Sequence, residues 1–186
     1  MTVPLSRRAF LAGLAAAASL RALAAEAPSG SARYLVEILV FRQPGPLPPP
    51  MPAAPLTIVT TLPGRVELLP ETAWQLGSAE QALGHLGGYQ PLAHAAWAAL
   101  VPPNGRTTAR LEDLLPDGTP LAGSVALQRS QYLFLGVEID YRAEPGVTYA
   151  LREKRRIKFG ERHYFDHPAF GVIAQVTSSR AEPSGD

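Results

Sequence analysis

Two segments near the end of the chain alternate so strictly that they admit only extended structure. In Tyr132–Tyr141, Leu133, Leu135, Val137, Ile139 and Tyr141 fall on one face, and Tyr132, Phe134, Glu138 and Asp140 on the other. In Tyr149–Phe159 the split is sharper. Ala150, Arg152, Lys154, Arg156 and Lys158 share one face, while Tyr149, Leu151, Glu153, Arg155, Ile157 and Phe159 share the other. Leu121–Leu127 reads as a hairpin partner of the first segment across Gln128–Gln131, and Glu144-Pro145-Gly146 turns the chain into the second. A dense knot follows, His163-Tyr164-Phe165-Asp166-His167-Pro168, and then a closing apolar strand from Phe170 to Val176. A run of strands joined by short turns predicts an antiparallel sheet.

The chain before these strands is more varied. Tyr34–Phe41 is β-branched and aromatic on both faces, which suits a central strand. Its Glu37 needs a partner, and an arginine near Arg155 is the expected one. Pro44 to Pro55 holds seven prolines in twelve residues and reads as an extended linker. Leu56–Val66 suggests a short edge strand (TIVTTL), limited by Pro63-Gly64. Ser78 is an N-cap candidate for a helix ended by Gly87-Gly88. Tyr89–Leu100 predicts a second helix, with Leu92, Ala96, Ala99 and Leu100 apolar and with His94 and Trp97 three apart on one face. A polar loop then leads to an open turn at Pro116-Asp117-Gly118. The predicted class is α+β: a mainly antiparallel sheet with two short helices on one face, within one domain spanning 33–177. Residues 178–186 read as a frayed tail.

The N-terminus sets the compartment. Arg7-Arg8, an apolar run of about 12 residues too short to cross a bilayer, and small residues up to Ala24 read as a cleaved export signal over 1–24. The S-R-R-x-F-L pattern is twin-arginine-like; export by that route or the general secretory route stays open. Residues 25–32 read as a disordered leader. Removing Arg7, Arg8 and Arg21 takes Lys plus Arg from 17 to 14 against 16 acids, a net charge of −2. That balance argues against a nucleic-acid binder. The chain has no cysteine, so it carries no disulfide, thiol nucleophile or thiolate zinc site. No second apolar run has membrane length. The expected location is the periplasm, without a membrane anchor.

Several constellations suggest chemistry. His163 and His167 share a strand face, with Asp166 on the other, but a metal site needs a third ligand from His85 or His94. A plainer role for Asp166 is to cap the turn at His167-Pro168. Glu138 and Asp140 lie about 7 Å apart by strand geometry, a separation that suits an inverting glycosidase. No serine sits in a Gly-x-Ser-x-Gly elbow, and no glycine-rich phosphate loop is present. The stripe Arg152, Lys154, Arg156, Lys158 requires neutralisation, by solvent along a sheet edge or by an anionic partner. Outside the inner membrane, wall peptides with free carboxylates and acidic proteins are such partners. Tyr132, Tyr149, Tyr164, Trp74 and Trp97 are candidates to stack on sugars.

The chain resembles the CsiV-type peptidoglycan-binding proteins. The resemblance rests on Arg33-Tyr34-x-Val36-Glu37-Ile38-Leu39-Val40-Phe41, on Leu92-x-His94-x-x-Trp97, and on Tyr132-Leu133 leading to Asp140-Tyr141. Its densest part is Lys154-Arg155-Arg156 through Glu161-x-His163-Tyr164-Phe165-Asp166-His167-Pro168 to Phe170-Gly171-Val172-Ile173. It implies a non-enzymatic periplasmic protein without cofactor or metal. Such a protein would bind peptidoglycan and support a bifunctional penicillin-binding protein through an outer-membrane lipoprotein activator. The physical candidates for ligand contact are Arg152, Arg156, His163, Tyr164, Asp166 and His167, with His94 and Trp97 behind them. A wall hydrolase using Glu138 and Asp140 or a histidine site, and a scaffold for protein partners alone, are the alternatives.

Overall fold

In the computed structural model, β1 (Ala32–Arg42) is the strand around which half the molecule assembles. The model describes residues 29–50, 52, 55–57, 59, 60, 62 and 65–178; the signal, the start of the leader and the tail beyond 178 lie outside the described residues. Tyr34, Val36, Ile38 and Val40 point from β1 into the main core, while Leu39 and Phe41 point to the opposite side. Both faces are therefore covered, as an almost wholly apolar strand requires. β1 pairs antiparallel with β3 (Gln90–Val101) and with β9 (Phe170–Ser178). Edge strands β2 (Val66–Leu68) and β8 (Arg162–His167) complete a five-stranded sheet in the order β2-β3-β1-β9-β8.

The second sheet has the order β4-β5-β6-β7, from Arg106–Arg110, Leu121–Arg129, Leu133–Glu144 and Val147–Ile157. Every ladder in both sheets is antiparallel. The sheets pack face to face through Val36, Ile38 and Trp97 on one side and Val125, Leu135, Val137 and Ile139 on the other. Trp97 is 2% exposed at the centre. Helix α1 (Gly77–His85) covers the outer face of the five-stranded sheet, where Leu76 and Leu83 meet Leu39 and Phe41. The short α2 (Leu111–Leu114) contributes Leu111 and Leu114 to the main core. The fold is α+β and mainly antiparallel, as expected.

Several details differ from the sequence expectation. Tyr89–Leu100 is not a helix but most of β3. Its alanines fit either period, and pairing with β1 and β2 on both sides decides for the strand over intrinsic propensity. His94 and Trp97 consequently lie on opposite faces. The polar stretch after Gly105 forms β4 and α2, with Thr107 and Ala109 buried in alternation. The described residues of TIVTTL form no strand; Val66–Leu68 takes the sheet edge, where Arg33 pairs with Glu67 at 2.8 Å. The end of the leader is tied down, since Arg129 donates to the Gly30 carbonyl and Ala32 begins β1.

The proline-rich stretch is a strap. Tyr149 donates its hydroxyl to the Pro48 carbonyl at 2.6 Å, and the Thr57 amide donates to Glu138 at 3.3 Å on the outer face of the four-stranded sheet. Gly123 sits beneath that point. Its φ is +128°, and a Cβ there would lie 2.0 Å from the Glu138 carbonyl oxygen, so only glycine lets β5 and β6 approach.

Candidate functional site

Strand register arranges the outer face of the four-stranded sheet into three rows. The middle row runs Thr108, Ala126, Gly136, Lys154 from β4 to β7. On one side lies Arg106, Gln128, Phe134, Arg156; on the other lies Arg110, Ser124, Glu138, Arg152. Successive rows are about 7 Å apart along the strands. Ala126 and Gly136 make the middle row low and the flanking rows stand higher, so a trough crosses the sheet. With Pro55 and Thr57 of the strap as a further wall, it encloses about 360 Å³.

The cations of this face are not equivalent. Arg152 is neutralised: it donates to Asp140 at 2.5 Å and to the carbonyls of Ile139 and Leu151. Arg156 lies 3.5 Å over the centre of the Tyr132 ring, a cation–π contact. Lys154 reaches across Gly136, donates to the Gln128 amide oxygen at 2.6 Å, and stands 5.4 Å from the centre of the Phe134 ring. An ammonium has three donors, so a neutral amide leaves its charge and two donors for something else. Among the described residues the Arg106 side chain has no hydrogen-bond or ion-pair partner. Of the carboxylates, Asp140 is occupied by Arg152, whereas among the described residues Glu138 accepts the Thr57 amide alone. Ser124, 5% exposed, stands opposite Glu138 in register and also lines the trough.

The sequence candidates do not form one site. Arg152 and Arg156 belong to this face, but Lys158 leaves the stripe because β7 ends at Ile157, and it pairs with Glu161 instead. The stripe runs along an edge strand, as the solvated alternative supposed. His163, Tyr164, Asp166 and His167 lie on β8, in the other sheet. There Gln43, just past β1, donates to the Tyr164 hydroxyl and to Asp166, both at 2.8 Å. Tyr164 itself donates to Asp166 at 2.7 Å and stacks on Phe41. Partial desolvation of its hydroxyl, reinforced by the hydrogen bond to Asp166 and that group's charge, raises the Tyr164 pKa above that of free tyrosine, although the ring stays partly exposed. Asp166 does not cap the turn; His167 does, accepting the Ala169 amide on Nδ1 at 3.1 Å. Burial among Tyr149 and Phe170 lowers the His167 pKa. This knot locks β1, β8 and β9 together. Beside it, Phe41, Leu83, Leu86, Tyr89, Tyr164 and Ile173 line a mostly apolar groove of about 400 Å³.

His94 and Glu37 form a separate buried unit. Glu37 accepts the backbone amides of Gln75 and Leu76 at 2.7 to 3.0 Å, just ahead of α1, and the His94 ring at 2.8 Å. The expected arginine partner is absent from it: Arg155 pairs with Glu153 and reaches the Tyr164 carbonyl. The second ring nitrogen of His94 faces Glu80 at 2.8 Å, and Trp74 covers the ring at 4.1 Å. Burial alone would push the His94 pKa down and that of Glu37 up. The paired carboxylates outweigh this for His94, whose pKa is raised, and the imidazolium and amides outweigh it for Glu37, whose pKa is lowered. The unit fastens α1 to the sheet. Trp97 lies on the other face in the main core, so neither residue backs the trough.

The family model described as "Peptidoglycan-binding protein, CsiV" matches residues 59–179. The chain belongs to the CsiV family. No curated protein and no solved structure matches it. The CsiV match covers β2 through β9, hence all three rows of the trough and the β8 knot, while β1 and the prolines of the strap precede it. Sequence reasoning missed Arg106, Gln128 and Gly136 as site residues. The one available signal was the alternation in Arg106–Arg110; the rest emerges only when the strands are in register.

Proposed function

We propose that this chain is a non-catalytic periplasmic protein that binds peptidoglycan in the trough, with stem-peptide carboxylates held by Lys154 and Arg106. The observation that carries this reading is the pair of cations with no ion-pair partner among the described residues, at the rim of a groove whose floor is Ala126 and Gly136. Charge-assisted hydrogen bonds from ammonium and guanidinium groups to carboxylates are about twice as strong as neutral ones, and the narrow floor admits an extended peptide. The family assignment supports the wall as the ligand. Binding is favoured over cleavage because Asp140, half of the carboxylate pair a hydrolase would need, is held by Arg152. The export signal read from residues 1–24 supports the periplasm. A wall-bound protein of this kind would support synthesis by holding a bifunctional penicillin-binding protein and its outer-membrane lipoprotein activator near their substrate.

The test is co-sedimentation of the purified protein with protein-free sacculi at low and high salt, with soluble products assayed in the same tubes. Pelleting that weakens with salt, without released muropeptides, is the expected result. Released muropeptides would establish a hydrolase. Failure to pellet at low salt would overturn wall binding.

A further inference from the structure

We infer that the trough distinguishes stem peptides that are not yet cross-linked from those that are, by seating the free ammonium of the peptide's diamino acid on Glu138. This rests on the trough being the peptide site. Lys154 and Arg106 account for carboxylates, but a site for anions alone has no use for a carboxylate in its wall. Glu138 is such a group: it lines the trough, it is half-buried, and its one contact among the described residues is the Thr57 amide at 3.3 Å. Among the described residues no cation pairs with it, and Arg152, its neighbour in the row, pairs with Asp140. Ser124, opposite Glu138 in register, adds a hydroxyl oxygen that can accept a second hydrogen bond.

Among the described residues lining the trough, the charges without an ion-pair partner are thus two cations, Lys154 and Arg106, and one carboxylate, Glu138. Their complement is a ligand with two carboxylates and one ammonium. The terminal diamino diacid of a wall stem peptide has that pattern while its side-chain amine is free. Cross-linking converts the amine to a neutral amide, which removes the charge and two of the donors facing Glu138. The amide would then leave Glu138 desolvated by ligand and without a cation, which disfavours binding. The protein would accumulate where newly made strands await cross-linking.

The experiment is calorimetric titration of the protein with the soluble tripeptide stem bearing the free amine, with its N-acetylated form, and with its N,N-dimethylated form, which keeps the charge. The free and dimethylated peptides should bind on the order of tenfold tighter than the acetylated one, and Glu138→Gln should bring the three to one affinity. Gly136→Leu, which fills the floor, should abolish binding of all three. A Cβ at Gly136 meets its nearest neighbours at 3.9 to 4.0 Å, ordinary contact, so the backbone there accepts a side chain, and a thermal melt of the variant checks that it is folded. Equal affinities in the wild-type protein, with binding lost in Gly136→Leu, would overturn the discrimination and leave the trough as the peptide site. Binding of none of the peptides would overturn both.

Discussion

Replacing His94 with alanine should destabilise the protein through one identifiable loss, the imidazolium between Glu37 and Glu80. The side chains of His94 and Glu37 are 3% and 8% exposed, so the pair is buried, whereas Glu80 is 38% exposed and can return to water. Removing one partner of a buried ion pair costs about 3–5 kcal/mol. Glu37 keeps the Gln75 and Leu76 amides, which places this case at the lower end, about 3 kcal/mol. For a domain of this size that lowers Tm by about 10 °C. The pH dependence has a definite sign. The His94 pKa is raised above 6.5, so its stabilisation is complete below that value and fades as pH climbs through the folded pKa. The Glu37 pKa is lowered below 4.5, so its share is present above that value and is lost as pH falls through the folded pKa. Thermal melts of wild type and His94→Ala across this range should therefore show the largest gap in mildly acidic to neutral buffer, narrowing toward alkaline pH. A gap that stays constant into alkaline buffer would refute the charged pin, as would a loss under about 1 kcal/mol, the scale of an exposed pair.

Trp97→Ala should lower stability by about 3–5 kcal/mol in denaturant titration, since the indole lies 2% exposed between the sheets; a smaller loss would mean the core closes over the cavity. Gly123→Ala should reduce the yield of folded protein or cost several kcal/mol, because its Cβ collides with the Glu138 carbonyl; a melt like wild type would disprove the close approach. Tyr149→Phe should release the strap at Pro48, costing about 1 kcal/mol and speeding proteolysis in the proline-rich stretch; unchanged cleavage would show that the strap is held elsewhere.

Alternation made β1, β5, β6, β7 and β9 legible, because each carries an apolar face at period two or is apolar on both faces. β3 was not legible. Between Leu92 and Val101 five of the ten residues are alanine, small enough for a helix face or for a strand pressed between β1 and β2, and only the pairing decides. β4 was obscured because Arg106, Thr108 and Arg110 are polar and Thr107 is buried with its hydroxyl donated to the Leu100 carbonyl. The cationic face of β7 was visible, but its geometry as one wall of a trough was not. That depends on Gly136 and Ala126 lying in register with Lys154, a relation between strands that no single segment contains. The His-Tyr-Phe-Asp-His-Pro knot suggested a ligand site because its residue types are those of binding sites. Its hydrogen bonds go to the protein's own groups, to Gln43 and to the turn at Ala169, with Tyr164 and Asp166 themselves exposed.

Peptide binding in the trough is tested most directly by backbone amide NMR during titration with a soluble, uncross-linked stem peptide. Shifts should concentrate at Thr108, Ala126, Gly136 and Lys154, together with Glu138, and should vanish in Gly136→Leu. Shifts confined to Leu83, Leu86, Tyr164 and Ile173, with the trough unmoved, would place the ligand in the apolar groove beside α1 and contradict the assignment.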